Sequence, residues 1–416
     1  MTTTVDSVIV VGASLAGHAS AKALRALGFT GRITMIGGEE HRPYDRPPLS
    51  KEFLAGTATV ADLALEAEEE DLNAEWMFDA RAIGLDTISH TVTLSDGRSM
   101  SADAVVIATG SFAKTLGNPN PNLPLSSGRQ GAVLLAGVHT LRTIDDAIAL
   151  RAELRPGANL VVVGSGFVGL EVASTAVTLG VNALVLGSSV LPLSHVFGNT
   201  VANSVQRLQE EHGVRVRNSV QVTAVLGTER VTGVRLASGE EIPADIVLLG
   251  VGSVAAVDWL IGSGLALDNG VTCSEVGATE AAGIFAVGDC SAWFDPVRGH
   301  SHRIEHWTDS RNRPAIAMAA LLGLTMPERA LRPSYLWSDQ CGAHIQFAGR
   351  ILGGEEVAIE AGGIDTGDLF AVYRRAGEPV AVVGINQPKL IAQWRKRLTS
   401  AAPHIQTTTE LIHQGE

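Results

Sequence analysis

The sequence predicts an α/β protein: two Rossmann-like dinucleotide-binding domains, the first interrupted by the second, and a C-terminal α+β domain. Three observations predict it. Two distant segments repeat one strand–glycine turn–helix pattern, a later buried strand has no unit of its own, and the composition changes after Pro327.

The first segment, SVIVVGASLAGHASAKALRALG, runs from Ser7 to Gly28, and the second, NLVVVGSGFVGLEVASTAVTLG, from Asn159 to Gly180. Each begins as an apolar strand, turns on glycine and continues as a helix of small residues. A further β-like run follows each, RITMIGGEE and VNALVLGSS, completing a β-α-β unit. SADAVVIATG (Ser101 to Gly110) and PADIVLLGVG (Pro243 to Gly252) echo each other as the strands that close the two units. GIFAVGDC (Gly283 to Cys290) adds a strand with no helix of its own, and its economical place is back in the first sheet. Asn118 to Pro124, with Ser-Ser-Gly at 126–128, marks a loop leaving the first unit. Beyond Pro327, YLWSDQCGAHIQFAG, EVAIEAG and LFAVYRRAGEPVAVVGINQ read as antiparallel strands, followed by a short helix near Lys389 to Leu398. The expected division is 1–114 and 253–326 for the first dinucleotide domain, 115–252 for the second, and 327–416 for the last.

The 416 residues, 45% hydrophobic and 18% charged, suit a globular chain of about three domains at ~150 residues each. The 45 glycines gather at strand-to-helix turns, where backbone must come close to a ligand. A net charge of −13 argues against nucleic acid or an anionic membrane as partner. Cys273, Cys290 and Cys341 are far apart and form neither a disulfide framework nor a metal knuckle, which fits a reduced compartment. The apolar run Val8 to Gly12 is too short for a membrane span or signal core, so a cytoplasmic location is expected and no metal site.

Gly12-Ala-Ser14-Leu-Ala-Gly17 follows a strand and opens a helix, whose free N–H groups suit a pyrophosphate. Ser14 stands where the usual pattern has glycine. Gly164-Ser-Gly166-Phe167-Val168-Gly169-Leu-Glu171 is the complete form of the pattern. Two such units in one chain imply one tightly held flavin dinucleotide and one exchangeable nicotinamide dinucleotide. An acid should end each second strand to read the adenosine ribose. Glu39 and Glu40 are available in the first unit; Gly187-Ser188-Ser189 in the second carries neither an acid nor an arginine, leaving NADH against NADPH open.

With HRPYDRPPLSKEFL (His41 to Leu54), ATG (Ala108, Thr109, Gly110), TLRT (Thr140 to Thr143), AVGDC (Ala286 to Cys290) and YLWSDQ (Tyr335 to Gln340), the chain resembles the ferredoxin reductases of bacterial oxygenase systems, the family of putidaredoxin reductase and the aromatic-ring dioxygenase reductases. The resemblance covers nearly the whole chain, to about Arg397. It implies FAD in the first unit, NADH in the second with NADPH as an alternative, and a small acidic ferredoxin of the 2Fe–2S type as acceptor. It also implies that Ala16 and Gly17 meet the pyrophosphate and that Arg46 and Lys51 lie by the flavin. Ala82 would touch the adenine through its backbone, Arg142 would add a contact, Asp289 would bond the ribityl chain and Trp307 would sit by the isoalloxazine. Lys51 and Glu171 are implied to pair at the flavin–nicotinamide contact and are the catalytic candidates. The remaining cofactor-binding candidates come from the same turns and motifs: Gly12, Ser14, Leu15, Glu39, Ala108, Thr109, Gly110, Gly164, Gly166, Phe167, Val168, Gly169, Gly252 and Gly288.

The residues themselves leave other readings standing: Lys51 as a surface lysine after a proline turn, Glu171 as a complement to the helix dipole, Asp289 as a helix N-cap, Trp307 as core. The sequence also departs from the family. The ribose acid of the first unit matches Gly38, that of the second matches Gly187, and two flanking arginines match Leu191 and His195. Arg311 to Pro314 is expected to break the helix after Trp307. PPLSKEFL holds no cysteine, so a thiolate relay is excluded and electrons leave from the flavin. A one-electron protein carrier is then the natural acceptor; a direct small-molecule reductase and a flavin-bound redox-sensing interaction protein are the alternatives. Docking needs a local basic patch on this acidic chain, and Arg311, Arg313, Arg374 and Arg375 are its candidates.

Overall fold

The computed structural model describes residues 5–66, 71–116, 135–324 and 334–400. The loop expected at Asn118 to Pro124 and 126–128, and the boundary at Pro327, lie outside the described residues.

Two five-stranded parallel sheets carry the molecule. The first is ordered Ile284–Ala286, Ala104–Ile107, Ser7–Val11, Arg32–Ile36, Ala74–Met77. The second is ordered Arg215–Arg217, Asn182–Leu186, Asn159–Val163, Ile246–Leu249, Val138–His139. Central strands of such sheets are covered on both faces and so read as unbroken apolar runs. Val8, Ile9, Val10 and Val11 are accordingly all buried. The strand from GIFAVGDC joins the first sheet beside Ala104–Ile107, after the whole second sheet has intervened. Ser111–Ala113 and Ser253–Ala255 pair antiparallel where the chain leaves one unit and returns from the other.

The C-terminal sheet is antiparallel, ordered Tyr335–Gln340, Ala343–Gly349, Glu378–Ile385, Leu369–Arg375, Glu356–Gly362. Its alternating side chains serve two cores. Ile345, Phe347, Leu369, Ala371 and Tyr373 face the second unit and pack in one cluster with Leu160, Leu170, Val172 and Phe197. Ala348, Phe370, Val372 and Val382 face the helix Pro388–Ser400 through Ile391 and Trp394.

The expected break after Trp307 does not occur. A single helix, Trp307–Leu321, runs through Pro314. Proline removes one N–H bond, but Ile316, Ala317 and Met318 are buried in the core of the first unit, and that packing holds the helix together. Among the described residues no helix is long and apolar enough to cross a membrane, and no group of three or more His, Cys, Asp or Glu is placed to hold a metal.

Candidate functional site

Both glycine turns are built for close backbone approach. Gly12 has φ +117°, and a Cβ there would stand 2.1 Å from Ala108 O; a Cβ on Gly17 would stand 1.8 Å from Gly12 O. Gly164 has φ +113° and the corresponding distance to Gly250 O is 2.1 Å. Any side chain would push the helices Leu15–Ala26 and Phe167–Thr178 off their sheets. Ser14, the N-cap of the first helix, makes no capping bond; its Oγ accepts instead from Arg46 Nε at 3.2 Å. That helix also has no acid in its first turn, so its N–H groups and positive end face an open cavity.

The cavity has a volume of about 840 Å³, within the range of cofactor sites. Of the expected site residues, Gly12, Ser14, Leu15, Ala16, Glu39, Arg46, Lys51, Ala82, Ala108, Thr109, Gly110, Arg142, Phe167, Val168, Glu171, Asp289 and Trp307 line it. Gly17, Gly164, Gly166, Gly169, Gly252 and Gly288 do not line it. Gly17, Gly169 and Gly288 serve close packing, the last with its Cβ position 2.7 Å from Ala16 Cβ. Gly252 instead accepts the Lys114 N–H through its carbonyl at 2.9 Å.

Glu39 is locked in place. Its Oε1 takes Arg46 Nη2 at 2.6 Å, and its Oε2 accepts the Tyr44 hydroxyl at 2.5 Å. The same Tyr44 oxygen accepts the Ile144 N–H, and burial together with the neighbouring Glu39 charge pushes its pKa up. Arg46 further donates to Arg142 O at 2.5 Å. Asp289 is paired with the Arg142 guanidinium and accepts from Ser310 Oγ at 3.1 Å. Burial works to raise its pKa, but the Arg142 charge and these bonds outweigh it and hold Asp289 below the ordinary carboxylate value. The N-cap reading of Asp289 is corrected: Asp289 lies inside its short 3-10 turn, whose N-cap position is Val287, and the N-cap position of the helix at Trp307 is His306.

In the same cavity, Lys51 Nζ lies 2.9 Å from Glu171 Oε2, both largely buried. Trp307 donates its indole N–H to Asp45 Oδ1 at 2.6 Å and meets Trp337 edge-on, with centroids 5.3 Å apart. Burial raises the Asp45 pKa against the pull of that bond and of Lys51 and Arg311. Leu336 and Trp337 bring the C-terminal sheet into the cavity wall.

The four arginines expected to form a docking patch do not share one role. Arg374 is bonded to Glu360 and Arg375 to Glu355. Arg313 is bonded to Asp309 and stacked over Trp293 at 5.0 Å. Arg311 is exposed, its guanidinium 5.1 Å over the Trp307 ring.

Sequence reasoning missed Tyr44, Asp45, Ser50, Ser111, Ser310, Trp337 and Ser338. The dense polar spelling of RPYDRPPLSK offered a hint for the first three. For the serines there was none, since single hydroxyls become partners only once the fold is known.

This arrangement defines the class: a protein of doubled dinucleotide folds with a large cavity walled, among the described residues, by both units and a C-terminal sheet. The chain belongs to the pyridine nucleotide-disulphide oxidoreductase family, matched over residues 6–314, with a reductase C-terminal domain matched over 335–409. It is 35% identical to the ferredoxin reductase component of chlorobenzene dioxygenase from Cupriavidus sp. (strain PS12), over 92% of this chain and 90% of that one. It is 31% identical to putidaredoxin reductase from Pseudomonas putida, over 96% and 93%. The solved covalent complex of putidaredoxin reductase with putidaredoxin contains a chain matching this fold with TM-score 0.88 at 29% identity, over 96% and 94% of the two chains. A ferredoxin reductase from Rhodopseudomonas palustris gives 0.86 at 28%, over 95% of each. The disulphide chemistry in the family's description has no counterpart here. Cys273, Cys290 and Cys341 are free and buried, and none lines the cavity.

Proposed function

We propose that the chain is a ferredoxin–NAD(+) reductase that takes a hydride from NADH onto FAD and passes electrons singly to a ferredoxin serving an oxygenase. The observation that carries this is the cavity itself: one space joins an uncapped helix N-terminus, the Lys51–Glu171 pair and the Trp307 wall, with no cysteine. Its residues fit FAD on their own terms. The Trp259 indole N–H in the cavity lining is buried without a partner, and a Cβ added at Gly110 would meet open space. In this reading Gly12 to Ala16 would hold the pyrophosphate, Glu39 would take the adenosine ribose, Asp289 would take ribityl hydroxyls and Trp307 would lie by the ring. Bound flavin supplies the conversion of a two-electron hydride into single electrons. Lys51, fixed by Glu171, places a positive charge where negative charge develops. The division at 114, 252 and 326 is offered as the boundary set of the cofactor domains.

Lys51→Met is expected to slow single-turnover flavin reduction by NADH while leaving FAD bound. Stopped-flow reduction at an unchanged rate would return Lys51 to a structural role.

For the partner we propose a small acidic iron–sulfur protein of the 2Fe–2S type, guided locally by Arg311. The chain's net charge of −13 opposes approach at long range, so the exposed guanidinium beside Trp307 has to act at short range. Arg311→Glu is expected to weaken ferredoxin-dependent turnover, and added salt to weaken the wild type, with flavin reduction by NADH intact in both. Ferredoxin turnover indifferent to both changes would move the docking face elsewhere. Efficient turnover with a quinone and none with any ferredoxin would favour a direct small-molecule reductase.

A further inference from the structure

Glu171 is held by more than Lys51. Its Oε2 accepts Ser50 Oγ at 2.5 Å as well as Lys51 Nζ at 2.9 Å, and its Oε1 accepts Ser338 Oγ at 2.5 Å. Ser338 in turn accepts Gln340 Nε2 at 2.9 Å, and Gln340 Oε1 accepts Gln209 Nε2 at 2.9 Å. Ser338 and Gln209 are fully buried and Gln340 is 1% exposed. The direction of these bonds is fixed by chemistry. An ionised carboxylate can only accept, so Ser338 must spend its one proton on Glu171, and its oxygen is then free for the Gln340 amide. Every bond in the chain points toward Glu171. The participants come from three places: Ser50 and Lys51 from the first unit, Glu171 and Gln209 from the second, Ser338 and Gln340 from the C-terminal sheet.

We propose that Ser338, backed by Gln340, is a positioning residue for the Lys51–Glu171 pair. By fixing one carboxylate oxygen it aims the other at Lys51, so the C-terminal sheet sets the geometry on the hydride-receiving side of the cavity. The inference rests on the reading of Lys51 given above. With Ser338 removed, Oε1 loses its donor in a buried site and the carboxylate is free to turn about its terminal bond.

The test is a double-mutant cycle on the purified FAD-loaded protein. Single-turnover reduction is followed across NADH concentrations to separate the limiting rate from the dissociation constant. Ser338→Ala is expected to lower the limiting rate roughly tenfold, the size of one hydrogen bond to a charged group, with FAD content and NADH affinity unchanged. In a Lys51→Met background the same substitution is expected to add nothing, because the residue it acts through is gone. A second cycle, Ser338→Ala with Glu171→Gln, is read by urea unfolding and is expected to be non-additive. If Ser338→Ala does not load FAD, Gln340→Leu cuts the next link, and the same rate pattern at smaller amplitude is expected. Additive effects in the rate cycle would overturn the proposal. A slow Lys51→Met enzyme beside an unaffected Ser338→Ala enzyme would overturn it alone. An unaffected Lys51→Met enzyme would instead remove the reading beneath it.

Discussion

Replacing Asp289 by alanine is expected to give protein purified without yellow colour. Asp289 sits between the Arg142 guanidinium and Ser310, in the cavity wall next to Ser111. Its removal takes away the acceptor proposed for the ribityl hydroxyls and leaves Arg142 without its carboxylate. A hydrogen bond to a charged group is worth about 1.5–3 kcal/mol and each ~1.4 kcal/mol is tenfold, so flavin affinity should fall by about one to two orders of magnitude. Asp289→Asn keeps the shape and one acceptor oxygen and should fall between. Absorbance of the flavin against protein, with FAD released on denaturation, measures it; full occupancy in the alanine variant would refute the assignment. The pH dependence follows from the depressed pKa of Asp289. A carboxylate held lower in the folded state contributes stability above its unfolded pKa and loses it as pH falls through the folded one. Mild acid should therefore leave this anchor charged, and its share of flavin retention should fail only below the ordinary carboxylate range.

The second large effect is expected at the nicotinamide site, and it takes two substitutions. A Cβ on Gly187 would stand 2.6 Å from Ser165 Oγ and 3.0 Å from Ser165 Cβ, so the serine of the turn occupies the room that an acid's stem needs. The surroundings are neutral. Asn218 Oδ1 lies 3.7 Å from that Cβ position, buried and unpartnered, and Arg217 is bonded to Glu240. Neutral groups should not discriminate NADH from NADPH by more than ~10³-fold in kcat/KM, about 4 kcal/mol. Gly187→Glu alone should strain against Ser165 and give a blunted change. Ser165→Gly with Gly187→Glu should raise the NADH preference by roughly tenfold or more, through repulsion of the 2′-phosphate. Steady-state kinetics with both nicotinamides decide it. A wild-type ratio above ~10³, or a single variant equal to the double, would sink this account.

The parts of this molecule legible in its sequence are those governed by local rules. Val8 to Val11 and Leu160 to Val163 announce central parallel strands because burial on both faces forbids polar residues there. Gly12 and Gly164 announce their turns because φ above +110° at contact distance tolerates nothing else. The missed features depend on residues remote in sequence. Tyr44 matters because Glu39 and Ile144 close around its hydroxyl, and Ser338 because a helix some 170 positions earlier presents Glu171 to it. Pro314 misled for the same reason: the local rule says break, and burial of the residues after it overrules. The arginines show the same limit, because charge is visible in a sequence and its partner is not; Arg375 and Arg374 lie bonded to Glu355 and Glu360.

The cluster shared by the second sheet's helices and the C-terminal sheet has a consequence for biosynthesis. Leu170, Val172, Ala173 and Ala176 find part of their cover on Leu336, Ile345, Leu369 and Tyr373, and Cys341 donates its N–H to Ser174 Oγ at 2.7 Å. A ribosome delivers these partners last. The middle of the chain therefore emerges with an apolar face that its own unit cannot close, and it stays open to misassociation until the strands Leu369–Arg375 and Glu378–Ile385 have been made. The same holds for the edge strand Ile284–Ala286, which the first sheet must await. The second unit therefore completes its core only with strands made after it, and a chain truncated before Tyr335 is expected to expose that apolar face and to aggregate more readily.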